Sequence, residues 1–101
     1  MNKLPSELKI GPITWKITYG KTGKDAVGLT HSHKNEIIIF HKLNEEQKKV
    51  TLLHEILHAI AYTYGFYPDK KNLEESVVSI FTVPLLSVFI ENPELKKYLF
   101  N

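Results

Sequence analysis

The chain has 101 residues, with 13 basic and 11 acidic side chains and a formal net charge of +2. This length suits one hydrophobic core, so residues 1–101 are predicted to form a single domain. The nearly balanced charge and the absence of arginine argue against a nucleic-acid partner. There is no cysteine, which excludes disulfides and thiolate ligands, and no apolar run suits a membrane span or a signal core. We therefore expect a cytoplasmic protein without a membrane partner.

Residues 13–40 are predicted to form strands. Apolar and polar residues alternate over residues 13–19, which is the period of a half-buried strand. Two further strands are predicted at residues 26–30 and 36–41. Turn-forming residues occupy 20–25, and a hairpin turn is predicted at 33–35. These strands are expected to make a small antiparallel sheet of about three strands.

The hydrophobic period changes to that of a helix after Asn44. Asn44 and Gln47 fit a capping box, and Gly65 is a natural helix stop. An apolar stripe at helical spacing predicts the buried face of this helix; its members are Val50, Leu53, Leu57, Ile60 and Tyr64.

Two more helices are predicted in the last third of the chain. A second helix begins at Leu73, and Pro84 is expected to kink or divide it because proline lacks a backbone donor. Pro93 suits the first position of a short C-terminal helix. Strands followed by helices predict the α+β class.

The first predicted helix carries a motif with chemical meaning, His54-Glu55-Ile56-Leu57-His58, of the form H-E-x-x-H. Histidines four residues apart project from the same side of a helix, so both imidazoles can bind one tetrahedral Zn²⁺ ion. Glu55 points to a neighbouring sector, where it can act as general base on a metal-bound water. The alternative is that His54 and His58 are ordinary half-buried helix residues and Glu55 lies on the surface.

Two histidines leave a zinc site incomplete, because catalytic sites usually have three protein ligands and one open position. A second helix antiparallel to the first would bring its opening turns close to His58. This favours Glu74 or Glu75 as the third ligand. The other candidates are Glu91 downstream and the upstream imidazoles His31, His33 and His41.

The motif followed by a glutamate on the next helix resembles the gluzincin metallopeptidases. The compact strand-then-helix order is similar to the small ImmA/IrrE-like and phage-encoded members. Residues 75–81, E-S-V-V-S-I-F, match the E-A-apolar-x-D-apolar-F stretch of thermolysin-like enzymes, which selects Glu75 over Glu74. Ser79 stands where that stretch has an aspartate that supports a ligand histidine, so a hydroxyl or a backbone carbonyl must take its place. As an alternative role, Glu75 and Asn72 also fit a capping box.

The resemblance implies a zincin-like fold, a Zn²⁺ cofactor and hydrolysis of peptide bonds in a protein substrate, such as a regulatory protein. For a phage-encoded chain the compartment is the host cytoplasm. It also implies that the strand at residues 35–41 lies at the sheet edge and pairs with substrate, although its continuous apolar run equally suits an interior strand. Candidate donors to the oxyanion are Tyr62, Tyr64, Tyr67, His31 and His33.

A rival function comes from the small size of the chain. With 101 residues there is little room for a second lobe to wall a cleft, so a zinc-stabilised binding module without hydrolysis is the alternative. The sequence does not predict the oligomeric state.

Overall fold

A computed structural model describes residues 4–23, 26–65 and 73–100, and within 73–79 it describes the side chain of Val77 alone. The architecture is α+β, as the sequence predicted. The elements in chain order are β1 (Glu7–Ile10), β2 (Ile13–Gly20), β3 (Gly28–His31), β4 (Glu36–Phe40), α1 (Glu45–Tyr64), α2 (Leu73–Glu91) and α3 (Pro93–Phe100).

The sheet has four strands in the order β1-β2-β4-β3. Hairpins join β1 to β2 and β3 to β4 in antiparallel fashion, whereas β2 and β4 run parallel, with Ile17 beside Ile37. The predicted sheet of three antiparallel strands is therefore wrong in two respects. It lacked β1, whose apolar alternation covers only four residues, and it lacked the parallel pair, which arises because the β3–β4 hairpin docks through its second strand.

The turns that make these hairpins have local causes. Gly11 has a φ of 55° between β1 and β2, and Asn35 has a φ of 48° between β3 and β4. Glycine and asparagine tolerate this left-handed conformation better than other residues. The predicted hairpin turn at residues 33–35 is confirmed. Of the predicted turn at 20–25, residues 24 and 25 lie outside the described residues.

Helix α1 begins and ends where the sequence predicted. The Gln47 amide donates to the Asn44 side chain at 2.8 Å, and the Asn44 amide donates to the Gln47 side chain at 3.2 Å. At the other end Gly65 has a φ of 64° and its N–H donates to the Ala61 carbonyl. The capping box and the left-handed glycine thus satisfy backbone groups that a helix leaves unpaired.

The predicted buried face of α1 is right only in part: Ile60 is buried and Leu57 packs against the core, but the two ends of the stripe are exposed. Val50 is 71% exposed and Tyr64 is 47% exposed. The buried face lies on the adjacent sector and includes two polar residues; its members are Thr51, Leu52, Glu55, Ile56, Ala59 and Ile60. The apolar stripe misled because the polar members of the buried face are accommodated by contacts with β3, which no local pattern records.

Helix α2 runs unbroken from Leu73 to Glu91 with Pro84 inside it, so the expected division at this proline does not occur. Asn92 separates α2 from α3, and Pro93 opens α3 as predicted. Within the described part of the chain, no helix combines the length and the apolar character that crossing a membrane requires.

The core lies between one face of the sheet and the helices. Trp15 is 1% exposed, and its indole N–H donates to the Thr63 hydroxyl at 3.1 Å, which ties β2 to the end of α1. The same core cluster contains fully buried aliphatic residues from the sheet and the helices, among them Ile10, Ile37, Ile39, Leu52, Ile56 and Leu95. This packing fixes α1 against the half of the sheet that contains β3 and β4.

Candidate metal centre

His54 and His58 lie side by side on the solvent-facing flank of α1. Both are exposed, and their Nε2 atoms are 3.2 Å apart. Two nitrogen ligands at about 2.1 Å from a tetrahedral zinc ion lie about 3.4 Å apart. The two imidazoles therefore converge at the separation that a shared metal ion requires.

Glu55 points in a different direction, toward strand β3. It is only 6% exposed, and its Oε1 atom accepts a hydrogen bond from the Thr30 hydroxyl at 2.7 Å. The same hydroxyl lies 3.2 Å from the backbone carbonyl of Glu55. A charged side chain at this depth needs such a partner, because burial of an unpaired carboxylate is costly. The alternative in which Glu55 lies on the surface is wrong.

The approach of Glu55 to β3 is close enough to require a glycine. A Cβ atom at Gly28 would lie 2.9 Å from both Cγ and Oε2 of Glu55 and 2.7 Å from Cγ2 of Thr51. Such contacts are shorter than side chains adopt, so α1 and β3 fit together only because position 28 has no side chain.

A cavity of about 350 Å³ opens beside the carboxylate. Its lining includes His54 and Glu55 of the motif, together with Gly28 and Val50, but not His58. No described buried side-chain N or O atom lacks a hydrogen-bond partner. Since no described group bonds Oε2 of Glu55, this atom is in contact with solvent. The carboxylate thus has one occupied oxygen and one accessible oxygen.

The strand beside this cavity is β3, not β4. Strand β4 lies between β2 and β3, so the expectation that residues 35–41 form the sheet edge is wrong and the interior alternative is confirmed. The Phe40 amide donates to the Val27 carbonyl at 2.9 Å. Because bonded and non-bonded pairs alternate in an antiparallel ladder, the N–H and C=O groups of Gly28 and Thr30 point away from β4. We call this outer side of Gly28–His31 the open edge, since no described strand pairs with it.

The third ligand is not resolved by the described residues. Within 4–23, 26–65 and 73–100, no group of three or more histidine, aspartate or glutamate side chains is arranged to hold a metal ion. Glu74 and Glu75 fall in the first turn of α2, but their side chains, like that of Ser79, lie outside the described residues. Both remain predicted ligands.

The other candidate ligands lie elsewhere. Glu91 ends α2 and lines a cavity with residues 5–9, at the opposite edge of the sheet from β3. His41 Nδ1 donates to the Gly20 carbonyl at 3.2 Å. His31 ends β3 and His33 lies in the following turn, and neither forms a ligand group with the motif among the described residues.

Of the candidate oxyanion donors on α1, one points away from the histidine pair and one lies near it. The Tyr64 hydroxyl lies against the β1–β2 turn, 3.0 Å from the position of a Cβ atom on Gly11, so it is directed away from the histidine pair. Tyr62 is 56% exposed and lies one helical turn beyond His58. Tyr62 therefore stays a candidate, and Tyr67 lies outside the described residues.

Sequence reasoning missed Thr30 and Gly28, the two residues of β3 that contact Glu55. An isolated glycine within a strand is a signal of close backbone approach, and this signal was present at position 28. The Thr30 contact joins residues 25 positions apart, and no local pattern predicts it.

Comparisons with protein-family models, with curated proteins and with solved structures give no match for this chain.

Proposed function

We propose that this chain is a zinc-dependent metallopeptidase that hydrolyses peptide bonds of a protein substrate in the cytoplasm. The observation that carries the proposal is the pair of exposed imidazole nitrogens, 3.2 Å apart, beside a buried carboxylate with one accessible oxygen. One proposed ligand (His54), the proposed general base (Glu55) and Gly28 of the unpaired strand edge line one cavity. The zincin-like arrangement of sheet and motif helix is part of the same proposal.

The metal site would be completed by residues of two helices. His54 and His58 supply two nitrogen ligands, and Glu75 is the proposed third ligand, with Glu74 as its alternative. This donor set of two imidazoles and one carboxylate is typical of catalytic zinc. Bound zinc supplies Lewis-acid chemistry: it lowers the pKa of a coordinated water and polarises a carbonyl oxygen.

Glu55 has the features of a general base. Its Oε1 atom accepts a hydrogen bond from Thr30, whereas Oε2 has no described partner and is in contact with solvent. We assign to Oε2 the acceptance of a proton from the attacking water and its later transfer to the leaving amine. The buried stem of Glu55 limits the rotation of the carboxylate, which keeps the acceptor atom in place between turnovers.

The open edge provides a way to bind peptide without regard to sequence. The outward N–H and C=O groups of Gly28 and Thr30 can pair with an extended backbone, as in other cases of strand addition. A second cavity of about 410 Å³, lined by Val27, Leu43 and Val50, adjoins the cavity beside Glu55. It offers an apolar surface for a substrate side chain near the bond to be cleaved.

The decisive experiment substitutes Glu55→Gln and measures hydrolysis and zinc content together. Glutamine preserves the shape of the side chain and its bond from Thr30, but it cannot accept the proton. We expect loss of hydrolysis by at least about a thousandfold, with one zinc per chain retained. Fluorescein-labelled casein serves as the protein probe, and Glu94→Gln on the exposed surface of α3 is the matched control.

A variant Glu55→Gln that cleaves the probe as fast as the wild type contradicts the proposal. A wild-type chain that gains folding stability from zinc but cleaves nothing supports the alternative, a zinc-stabilised binding module. In that case the histidine pair binds a structural zinc ion and does not catalyse hydrolysis.

Zinc titration of alanine variants assigns the third ligand. His54→Ala and His58→Ala are expected to lose at least about a hundredfold in affinity, since each leaves one imidazole on the helix. Glu75→Ala should behave likewise and Glu74→Ala should bind as the wild type does. The opposite outcome at positions 74 and 75 moves the ligand by one residue.

A further inference from the structure

We infer that strand β3 positions the general base: Thr30 holds one oxygen of Glu55 and Gly28 makes the space that the carboxylate occupies. This inference rests on the proposed function, because it gives Thr30 and Gly28 a part in catalysis without contact to the reacting atoms. It assigns the orientation of the base to the edge strand and not to the helix that carries the base.

The hydrogen bonds of the Thr30 hydroxyl support its role in positioning Glu55. Its hydroxyl has one proton and faces two acceptors, Oε1 of Glu55 at 2.7 Å and the Glu55 carbonyl at 3.2 Å. The shorter distance identifies the carboxylate as the principal acceptor. A bond of this kind to an ionised oxygen is stronger than one between neutral groups. Thr30 therefore selects which oxygen of Glu55 remains accessible.

Gly28 controls the same carboxylate through exclusion of volume. A Cβ atom at this position would lie 2.9 Å from Oε2, the oxygen that Thr30 leaves accessible. The Glu55 side chain would have to rotate to relieve this contact, which would also lengthen its bond to Thr30. One residue thus attracts the carboxylate and the other leaves room for it.

The backbone of these two residues gives the arrangement a functional meaning. Gly28 and Thr30 are the residues whose N–H and C=O groups point out from the open edge. Their side-chain positions face Glu55, while their backbone groups face the place where a peptide would pair. A substrate strand bound there would therefore pair with Gly28 and Thr30, the same two residues that orient the base. This pairing would fix the distance between Glu55 and the scissile bond.

The test compares Thr30→Val, which removes the hydroxyl but keeps the shape, with Thr30→Ser, which keeps the hydroxyl. With fluorescein-labelled casein as probe, we expect Thr30→Val to lower kcat about ten- to a hundredfold, as for a lost bond to a charged group. KM and the affinity for zinc should change less than about twofold. Thr30→Ser should restore most of kcat, a result that a packing role for the methyl group does not give.

Glycine substitutions test the steric half of the inference. Gly28→Ala is expected to lower kcat by at least about tenfold at unchanged zinc affinity. Gly20→Ala is the matched control, because a Cβ atom there meets only Cγ2 of Ile38 at 3.7 Å. A Gly28→Ala variant as active as Gly20→Ala overturns the steric half.

The outcomes separate this inference from the proposed function. If the wild type is active, Glu55→Gln is inactive and Thr30→Val retains full kcat, the inference fails and the proposed function stands. If the wild type cleaves nothing, the proposed function fails. Urea unfolding then tests whether the Thr30 hydroxyl binds the Glu55 carboxylate. Thr30→Val should lower the unfolding midpoint more in the wild type than in Glu55→Ala, where only the bond to the backbone carbonyl at position 55 is left to lose. Equal shifts in both backgrounds overturn the inference.

Discussion

The two edges of the sheet are treated in opposite ways. At the β1 edge, the Lys9 amide donates to Oδ1 of Asn92 at 2.9 Å, and the Lys9 carbonyl accepts from Nδ2 of Asn92 at 3.0 Å. The same Nδ2 donates to the Val88 carbonyl at 2.7 Å, which ties the clamp to the end of α2. At the β3 edge, no described strand pairs with the corresponding backbone groups of Gly28 and Thr30.

This difference shows what an edge strand can be used for. Unpaired N–H and C=O groups invite pairing with other chains, so natural proteins usually cover or interrupt them. Here one side chain, Asn92, closes one edge by imitating a neighbouring strand. The other edge, which is also four residues long, shares a cavity with His54 and the buried Glu55. We therefore expect changes at the β1 edge to lower stability and changes at the β3 edge to lower activity.

Asn92→Ala is expected to have the largest effect on stability. It removes three hydrogen bonds and leaves the Lys9 backbone groups and the Val88 carbonyl without that partner. We expect the free energy of unfolding to fall by about 3 kcal/mol, measured by urea denaturation. Zinc affinity of the folded variant should stay unchanged, because the clamp lies at the opposite edge from His54.

The control for this variant is Lys9→Ala, which removes an exposed side chain and keeps the clamped backbone. Its free energy of unfolding should lie within about 0.5 kcal/mol of the wild-type value. Equal destabilisation by the two substitutions would mean that the Asn92 clamp is not what closes this edge.

The sequence predicts those structural features of this molecule that are decided by residues close together in the chain. The start and end of α1 follow from Asn44, Gln47 and Gly65, and the presence of both histidines on one side of α1 follows from helical spacing. These features were predicted because each is decided within a few residues.

Features decided by distant partners were not predicted. The burial of Glu55 depends on Thr30, and the place of β4 depends on how two hairpins dock. The apolar pattern of Ile37 to Phe40 suited an edge or an interior strand equally, and only the pairing of β4 with both β2 and β3 decides between them. Tertiary contacts of this kind override local preference.

The smaller stability effect concerns Tyr98, which lies in the last turn of α3, whereas Asn92 directly precedes the first turn. Its side chain is 3% exposed, and its hydroxyl donates to Oε2 of Glu45 at 3.3 Å. Burial raises the pKa of the Tyr98 phenol above its usual value near 10, and the negative charge of Glu45 raises it further. The folded chain therefore holds this proton more tightly than the unfolded chain does.

The sign of the pH dependence follows from that raised pKa. The contribution of Tyr98 to stability is complete below pH 10, where the unfolded phenol is still protonated, and it is lost as the pH rises above 10. Compared with Tyr98→Phe, the wild type should lose about 1 kcal/mol of unfolding free energy between pH 10 and pH 11. Tyr62→Phe, at a side chain that is 56% exposed, is the control and should keep the wild-type pH dependence. Parallel curves for the wild type and Tyr98→Phe would contradict the assignment, because they would show that the Tyr98 phenol ionises as easily in the folded as in the unfolded chain.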